Sequence, residues 1–249
     1  MLRSREQRLI DEARQSFDAV LHTPEFDRMH ADEAQMNLLI DYLDVIPGGS
    51  YLDLGTGNGY AAFAIAGRQP EALVTGIDVA GQAIGKNVEL AREANLANVA
   101  FKVIDGISLD LPAAAFDGIV CRYALHHLPE LPSALREVKG ALKERGRLVV
   151  ADGVMNDDDD GDFINRFQAL QPDGHVRFYP RNDLIALVGE CGLELLDLAM
   201  TTISYSRPFN PDYRALIDET PPAILDAYAI AVHGSEVSAR LDILNAAFA

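Results

Sequence analysis

Between residues 50 and 151, short apolar runs alternate with helical stretches, and no other feature of the chain constrains its fold as tightly. The runs are 51–54, 73–77, 99–104, 118–121 and 147–151, with helical candidates near 59–68, 80–95 and 130–143. Short buried strands separated by helices imply a parallel sheet covered on both faces, an α/β architecture wound in both directions from its centre. Upstream, 4–21 and 25–44 read as amphipathic helices; in the second, Met29, Met36, Leu39, Ile40 and Leu43 recur at roughly helical spacing before Pro47-Gly48-Gly49 breaks it. Downstream, Asn182-Asp183 is expected to cap a helix running through Cys191, 193–204 to form a sixth strand, and 240–244 a seventh. Residues 212–232 read as helix interrupted by Pro221-Pro222. With no internal repeat and no flexible linker, the expectation is one domain.

A chain of 249 residues buries enough apolar surface to need no covalent staple. Cys121 and Cys191 are too few and too far apart for a zinc site or a disulfide framework, and read as reduced core thiols. The balance of 21 Lys+Arg against 38 Asp+Glu, a formal charge of −17, repels phosphate backbones and argues against a nucleic-acid partner. No apolar run reaches the roughly 18 residues of a membrane span. The charged start lacks the apolar core of a signal peptide, and Glu6, Asp11 and Glu12 argue against a transit peptide, so the expected compartment is the cytoplasm. The carboxylate run Asp157–Asp160 is read as a turn and a cap for a helix at 163–170 rather than as a metal site.

The first strand ends in Asp53-Leu54-Gly55-Thr56-Gly57-Asn58-Gly59, which opens a helix. Glycines here allow a tight turn and close approach to a ligand, beside the unpaired N–H groups of a helix start. A dinucleotide fingerprint would place its third glycine at position 60, which is Tyr60. The second strand ends in Asp78-Val79, about 20 residues beyond the loop, where a carboxylate is placed to accept ribose hydroxyls. The third ends in Asp105-Gly106, where a carboxylate can accept from an adenine amino group and glycine leaves room for the ring.

With these residues in this order the chain resembles the class I S-adenosylmethionine-dependent methyltransferases. Asp53-x-Gly55-x-Gly57-x-Gly59 matches their first motif, Asp78 their ribose carboxylate and Asp105 the residue that meets adenine. The segment 116–128, ending Arg122-Tyr123-Ala124-Leu125-His126-His127-Leu128, is similar to the fourth-strand region of the ubiquinone/menaquinone C-methyltransferases, and 175–179 to their later substrate-side segment. Lys143-Glu144-Arg145-Gly146 departs from the family's usual Lys-Pro-Gly-Gly turn. The resemblance implies a Rossmann-like, doubly wound seven-stranded sheet, mostly parallel with an antiparallel last strand, plus N-terminal helices. It divides the domain into a helical lid (1–45), a cofactor-binding half (46–155) and a substrate-side half (156–249). It implies S-adenosylmethionine as cofactor, held by Asp53, Gly55, Thr56, Gly57, Gly59, Asp78, Val79, Asp105, Gly106 and Arg122.

Ligands of open α/β sheets lie beyond the C-terminal strand ends, so Arg122, Tyr123, His126 and His127 are expected to line the cleft. His126 or His127 can take a proton from a small organic acceptor near neutral pH. Arg122 can fix a carboxylate of cofactor or acceptor, or pair with a neighbouring Asp. No metal is expected, because no Asp-Asn pair follows the fourth strand. Asn210-Pro211-Asp212-Tyr213 reads as a helix start. Two rival functions remain open at this point: an NAD(P)-linked oxidoreductase and a non-catalytic S-adenosylmethionine-binding regulator.

Overall fold

The computed structural model of the chain describes residues 4–24, 27 and 31–249. Helix α1 (Arg5–Val20) starts where the Ser4 hydroxyl accepts from the Gln7 N–H, and it buries Ile10 and Ala13. Helix α2 (Glu33–Leu43) starts at Asp32, whose carboxylate accepts from the Gln35 N–H, and buries Met36, Leu39, Ile40 and Leu43. The helix expected over 25–44 therefore has its capped start at Asp32; 25–26 and 28–30, Met29 included, lie outside the described residues.

The alternation that follows is β1 (Ser50–Leu54), α3 (Tyr60–Arg68), β2 (Leu73–Asp78), α4 (Gly81–Glu93), β3 (Val99–Val103) and β4 (Phe116–Arg122). A 3-10 turn (Leu125–His127), α5 (Leu131–Ala141) and β5 (Leu142–Met155) complete it. The rest of the chain comprises α6 (Phe163–Ala169), β6 (Tyr179–Pro180), α7 (Arg181–Glu190), β7 (Leu195–Pro208), α8 (Pro211–Glu219), α9 (Pro222–Ala227), β8 (Ala231–His233) and β9 (Glu236–Phe248). Seven strands lie in the order β3-β2-β1-β4-β5-β9-β7. β1 to β5 are parallel, and β9 runs against both of its neighbours, so the expected sheet and its reversed last strand are present. Two short strands join it unannounced by sequence, β6 beside β5 and β8 beside β9. Neither is long enough to express an alternating pattern.

One face of the sheet presents Tyr51, Val74, Val120, Val149 and Ala151 to α2, α3, α6 and α8. The other presents Leu52, Leu54, Ile119, Cys121 and Val150 to α5 and α7. Cys121 is buried there, whereas Cys191, expected in the core, is half-buried at the end of α7; both are free thiols. β5 is much longer than the expected 147–151. Phe116 pairs with Leu142 and Gly118 with Arg147, so Lys143–Gly146 bulges opposite Asp117, with Lys143 Nζ donating to the Asp117 carboxylate at 2.6 Å. The departure from the family turn is thus absorbed inside a strand.

The carboxylate run does cap α6, through its buried member: Asp159 accepts from the Phe163 and Ile164 N–H groups at 2.7 and 2.9 Å and from the Tyr228 hydroxyl at 3.0 Å. Asn210 caps α8 as expected, accepting from the N–H groups of Asp212 and Tyr213. Asn182-Asp183, in contrast, lies inside α7, which starts directly after Pro180 without a side-chain cap. β7 and β9 pair with each other well past Val154, where β5 stops pairing with β9; 203–208 and 236–241 form a ribbon standing beyond the sheet's C-terminal edge.

Candidate functional site

The C-terminal ends of β1, β2, β4, β5 and β7 open on one cavity of about 510 Å³, inside the range of small-molecule sites. At its β1 end the loop into α3 is bent around two carboxylates. Asp53 accepts from the Thr56 hydroxyl at 2.6 Å and the Ala62 N–H at 3.0 Å. Burial pushes its carboxyl up to about 6 against the pull of those bonds. Asp78 accepts from the Gly57 N–H at 2.8 Å and the Ala80 N–H at 2.9 Å; burial raises it too. Gly55 has φ +71°, and a Cβ there would lie 2.3 Å from that of Ala124, so the loop approaches the β4 turn only because this residue is glycine.

Asp53, Gly55, Thr56, Gly57, Asp78 and Val79 all reach the cavity wall. So do Gly106 and Arg122. Gly59 and Asp105 are absent from it. Gly59, φ +80°, begins α3, where a Cβ would strike Phe63 at 2.6 Å. Asp105 is exposed, and its carboxylate closes its own turn by accepting from the Ile107 and Ser108 N–H groups.

Helix α1 roofs this end. Arg14 Nε donates to the Val79 carbonyl at 3.2 Å, and the Asp18 carboxylate accepts from the Gln82 N–H at 2.8 Å. Ile10 lies against Gly106 and Leu21 against Gly57. Farther along, Phe17 meets the His127 ring edge-on at 5.0 Å. The first helix of the expected lid thus lies over the glycine-loop end of the cavity.

Tyr123, at φ +56°, turns the chain sharply out of β4. Arg122 donates through Nε to Gln35 Oε1 at 2.8 Å, and its guanidinium lies 5.0 Å from the Tyr60 ring and 4.5 Å from that of Tyr123. Gln35 also donates to the Tyr123 hydroxyl and to Asn245, both at 3.0 Å. Sequence reasoning missed Gln35; its signal is a polar residue in the buried helical stripe of Met36, Leu39, Ile40 and Leu43.

The two adjacent histidines differ sharply. His126 Nδ1 stands 2.6 Å from Asp152 Oδ1, and the same carboxylate accepts the His126 N–H at 3.2 Å and the Gly153 N–H at 2.7 Å. Asp152 is only 1% exposed and lies at the cavity end of β5, so it holds the ring proton on Nδ1 and leaves Nε2 as the acceptor. His127 is enclosed, its Nδ1 finds no hydrogen-bond partner, and burial, then the neighbouring His126, holds its pKa well below the usual histidine range. Behind them, His175 hydrogen-bonds Asn165 at 2.9 Å and is pushed down to about 2 by burial. The Val176 N–H donates to the His126 carbonyl at 2.8 Å, so this segment braces the histidine turn.

The far wall is the β7–β9 ribbon with the chain leaving α6. Ile203, Tyr205 and Arg207 face Leu241, Ile243, Gln168 and Asp173. Burial pushes the Tyr205 phenol up to about 12, and its oxygen accepts from Gln168 Nε2 at 2.8 Å. The sixth strand was expected to stop at 204, yet its alternation runs on through Tyr205 and Arg207 and would have pointed to both. Among the described residues, no group of three His, Cys, Asp or Glu stands close enough to hold a metal ion. Among the same residues no helix is long and apolar enough to cross a membrane.

The profile of a family described as "Methyltransferase domain" matches residues 47–176. The uncharacterized methyltransferase YcgJ of Bacillus subtilis is 31% identical over 152 residues, 61% of this chain and 59% of that protein. Its crystal structure superimposes with a TM-score of 0.74 at 22% identity, covering 87% of this chain and 98% of that one. Methyltransferase GfsG of Streptomyces halstedii is 30% identical over 202 residues, 78% of this chain and 70% of that protein. Nocamycin O-methyltransferase of Saccharothrix syringae is 32% identical over 111 residues, 44% of this chain and 40% of that protein.

Proposed function

The chain belongs to the class I S-adenosylmethionine-dependent methyltransferases, and on that premise we propose that it methylates a hydroxyl oxygen of a small organic acceptor, with His126 as the base. The observation that carries the reading is the His126–Asp152 pair at the cavity ends of β4 and β5.

The glycine-loop end suits the cofactor. Gly55 leaves no room for a side chain, the Asp78 carboxylate borders the cavity to receive the ribose hydroxyls, and Ile104 and Gly106 flank the adenine side. Asp105, closing its own turn, is left out of that set. S-adenosylmethionine, when bound, supplies a methyl group on a positively charged sulfur that is already a good leaving group. The chain then has to hold the acceptor oxygen in line with that carbon and keep water away. His126 Nε2 takes the hydroxyl proton as the new C–O bond forms and the S–C bond breaks. Asp152 stabilises the resulting imidazolium and fixes the ring's orientation; it is a positioning residue. His127, buried and held neutral, packs against Phe17 and takes no proton. The nocamycin relative, named as an O-methyltransferase, supports oxygen as the acceptor atom.

The test is transfer of labelled methyl groups to a panel of phenols and enols, with matched amines and thiols. Transfer to hydroxyls is expected. Transfer confined to amines or thiols overturns the oxygen assignment, and cofactor binding without transfer to any acceptor favours a regulatory binder.

A further inference from the structure

Arg207 lies at the opposite end of the cavity from the glycine loop. In the sheet order, β4, β5 and β9 separate its strand, β7, from β1. Its side chain is 18% exposed and that of Asp173 16%, so both charges are largely withdrawn from water. A guanidinium so placed ordinarily holds acceptors at about 2.7–2.9 Å. Arg207 does not. Its Nη2 stands 3.6 Å from the Asp173 carboxylate and its Nη1 3.4 Å from the Gln168 carbonyl. The group stacks 5.2 Å from the Tyr205 ring, and that phenol is itself tied to Gln168. The plane of the fork is thus steadied while its short hydrogen bonds are left unmade. Ile203, Leu241, Ile243 and Phe178 add apolar side chains to the cavity lining, with Phe178 against His126. Arg122, the other arginine of the cavity, is engaged by Gln35, Tyr60 and Tyr123 on the glycine-loop side and does not serve this end.

We propose that Arg207 anchors the acceptor by an anionic oxygen, a carboxylate or an enolate, carried on an apolar skeleton away from the hydroxyl that is methylated. The proposal rests on the methyltransferase reading above. A planar oxygen anion matches the guanidinium fork, and entering the site it supplies the close partners that Asp173 and Gln168 do not. The apolar walls then hold the skeleton between Arg207 and His126. Recognition at one end and chemistry at the other select a bifunctional molecule.

The experiment titrates hydroxynaphthoic acid and its methyl ester by calorimetry into the protein saturated with S-adenosylhomocysteine. The wild type should bind the acid about tenfold or more tighter than the ester. In Arg207→Gln the preference should vanish with S-adenosylhomocysteine affinity retained; in Arg207→Lys, which keeps a point charge without the fork, it should be intermediate. Thermal melting of both variants establishes that they are folded at the assay temperature, and the lysine variant serves if the glutamine one is not. Equal binding of acid and ester by the wild type overturns the proposal. So does a preference that persists in Arg207→Gln, or binding of neither compound by a protein that holds S-adenosylhomocysteine. Failure to bind S-adenosylhomocysteine overturns instead the reading on which the proposal stands.

Discussion

At the glycine-loop end of the cavity, Asp53 and Asp78 each accept a backbone N–H, from Ala62 and Gly57 respectively, within 3.0 Å. At the β7 end the Asp173 carboxylate also accepts a backbone N–H, from His175 at 3.1 Å, but the Arg207 guanidinium meets Asp173 only across 3.6 Å and the Gln168 carbonyl across 3.4 Å. At one end the main chain holds both carboxylates closely; at the other the cation is steadied only by long contacts and by the Tyr205 ring. A site that always receives the same cofactor can be built into backbone geometry, where no single substitution rewrites it. If the acceptor is recognised at Arg207 as proposed, its specificity lies in side chains of β7 and of the segment after α6, which can change without disturbing the sheet.

The largest effect should come from the residue between the two ends. If His126 Nε2 takes the acceptor proton, His126→Gln should lower turnover by about 10²-fold or more with S-adenosylmethionine affinity nearly unchanged. Asp152→Asn should lower it in the same sense and shift the pH profile of kcat. Paired turnover and calorimetric titrations measure the split, and wild-type turnover in His126→Gln would leave positioning alone to account for the chemistry. Asp78→Ala tests the backbone-built end. Losing one or two charge-assisted bonds to the ribose, on the order of 1.5–3 kcal/mol each, should weaken cofactor binding while leaving the acid-over-ester preference of the acceptor end intact. Unchanged cofactor affinity would mean that the ribose lies elsewhere.

The smallest effect concerns acid. Asp53 holds its proton up to about 6, above its free value of 3.8, so its share of stability is lost as pH rises through 6 and regained on acidification toward 4. His127 and His175 behave oppositely. Both are held below the free value of 6.5, His175 at about 2, so the unfolded chain takes up protons that the folded chain refuses, and stability falls as pH drops below 6.5. Melting temperatures between pH 7 and 5 should therefore fall less steeply in His127→Phe than in the wild type, and more steeply in Asp53→Asn. Two variants that both track the wild type would remove the contrast.

The same contrast explains what could be read from sequence. The alternation of strands and helices, the order of the carboxylates and the glycine spacing are local patterns, and Asp53, Asp78 and Gly55 fall where those patterns put them. Asp152 has no partner legible in the sequence, because nothing in the linear chain says that the end of β5 adjoins the turn after β4. Arg207 and Asp173 are 34 positions apart by number and meet only through the β7–β9 ribbon. The spacing of Asp105 matches a family pattern, yet its carboxylate accepts from the N–H groups of Ile107 and Ser108, two and three positions on, a local competition that spacing does not reveal.

The place of β9 between β5 and β7 has a consequence for the newborn chain. β7 is synthesised first but has no place in the sheet until β9 has emerged and filled the gap, so the parallel strands β1 to β5 can associate well before the ribbon can. During that interval the long β7, with Leu196, Leu198 and Met200 on one side, has both edges unpaired. A ribosome pausing between residues 208 and 236 would hold a chain able to assemble its glycine-loop strands and unable to build the wall that carries Arg207.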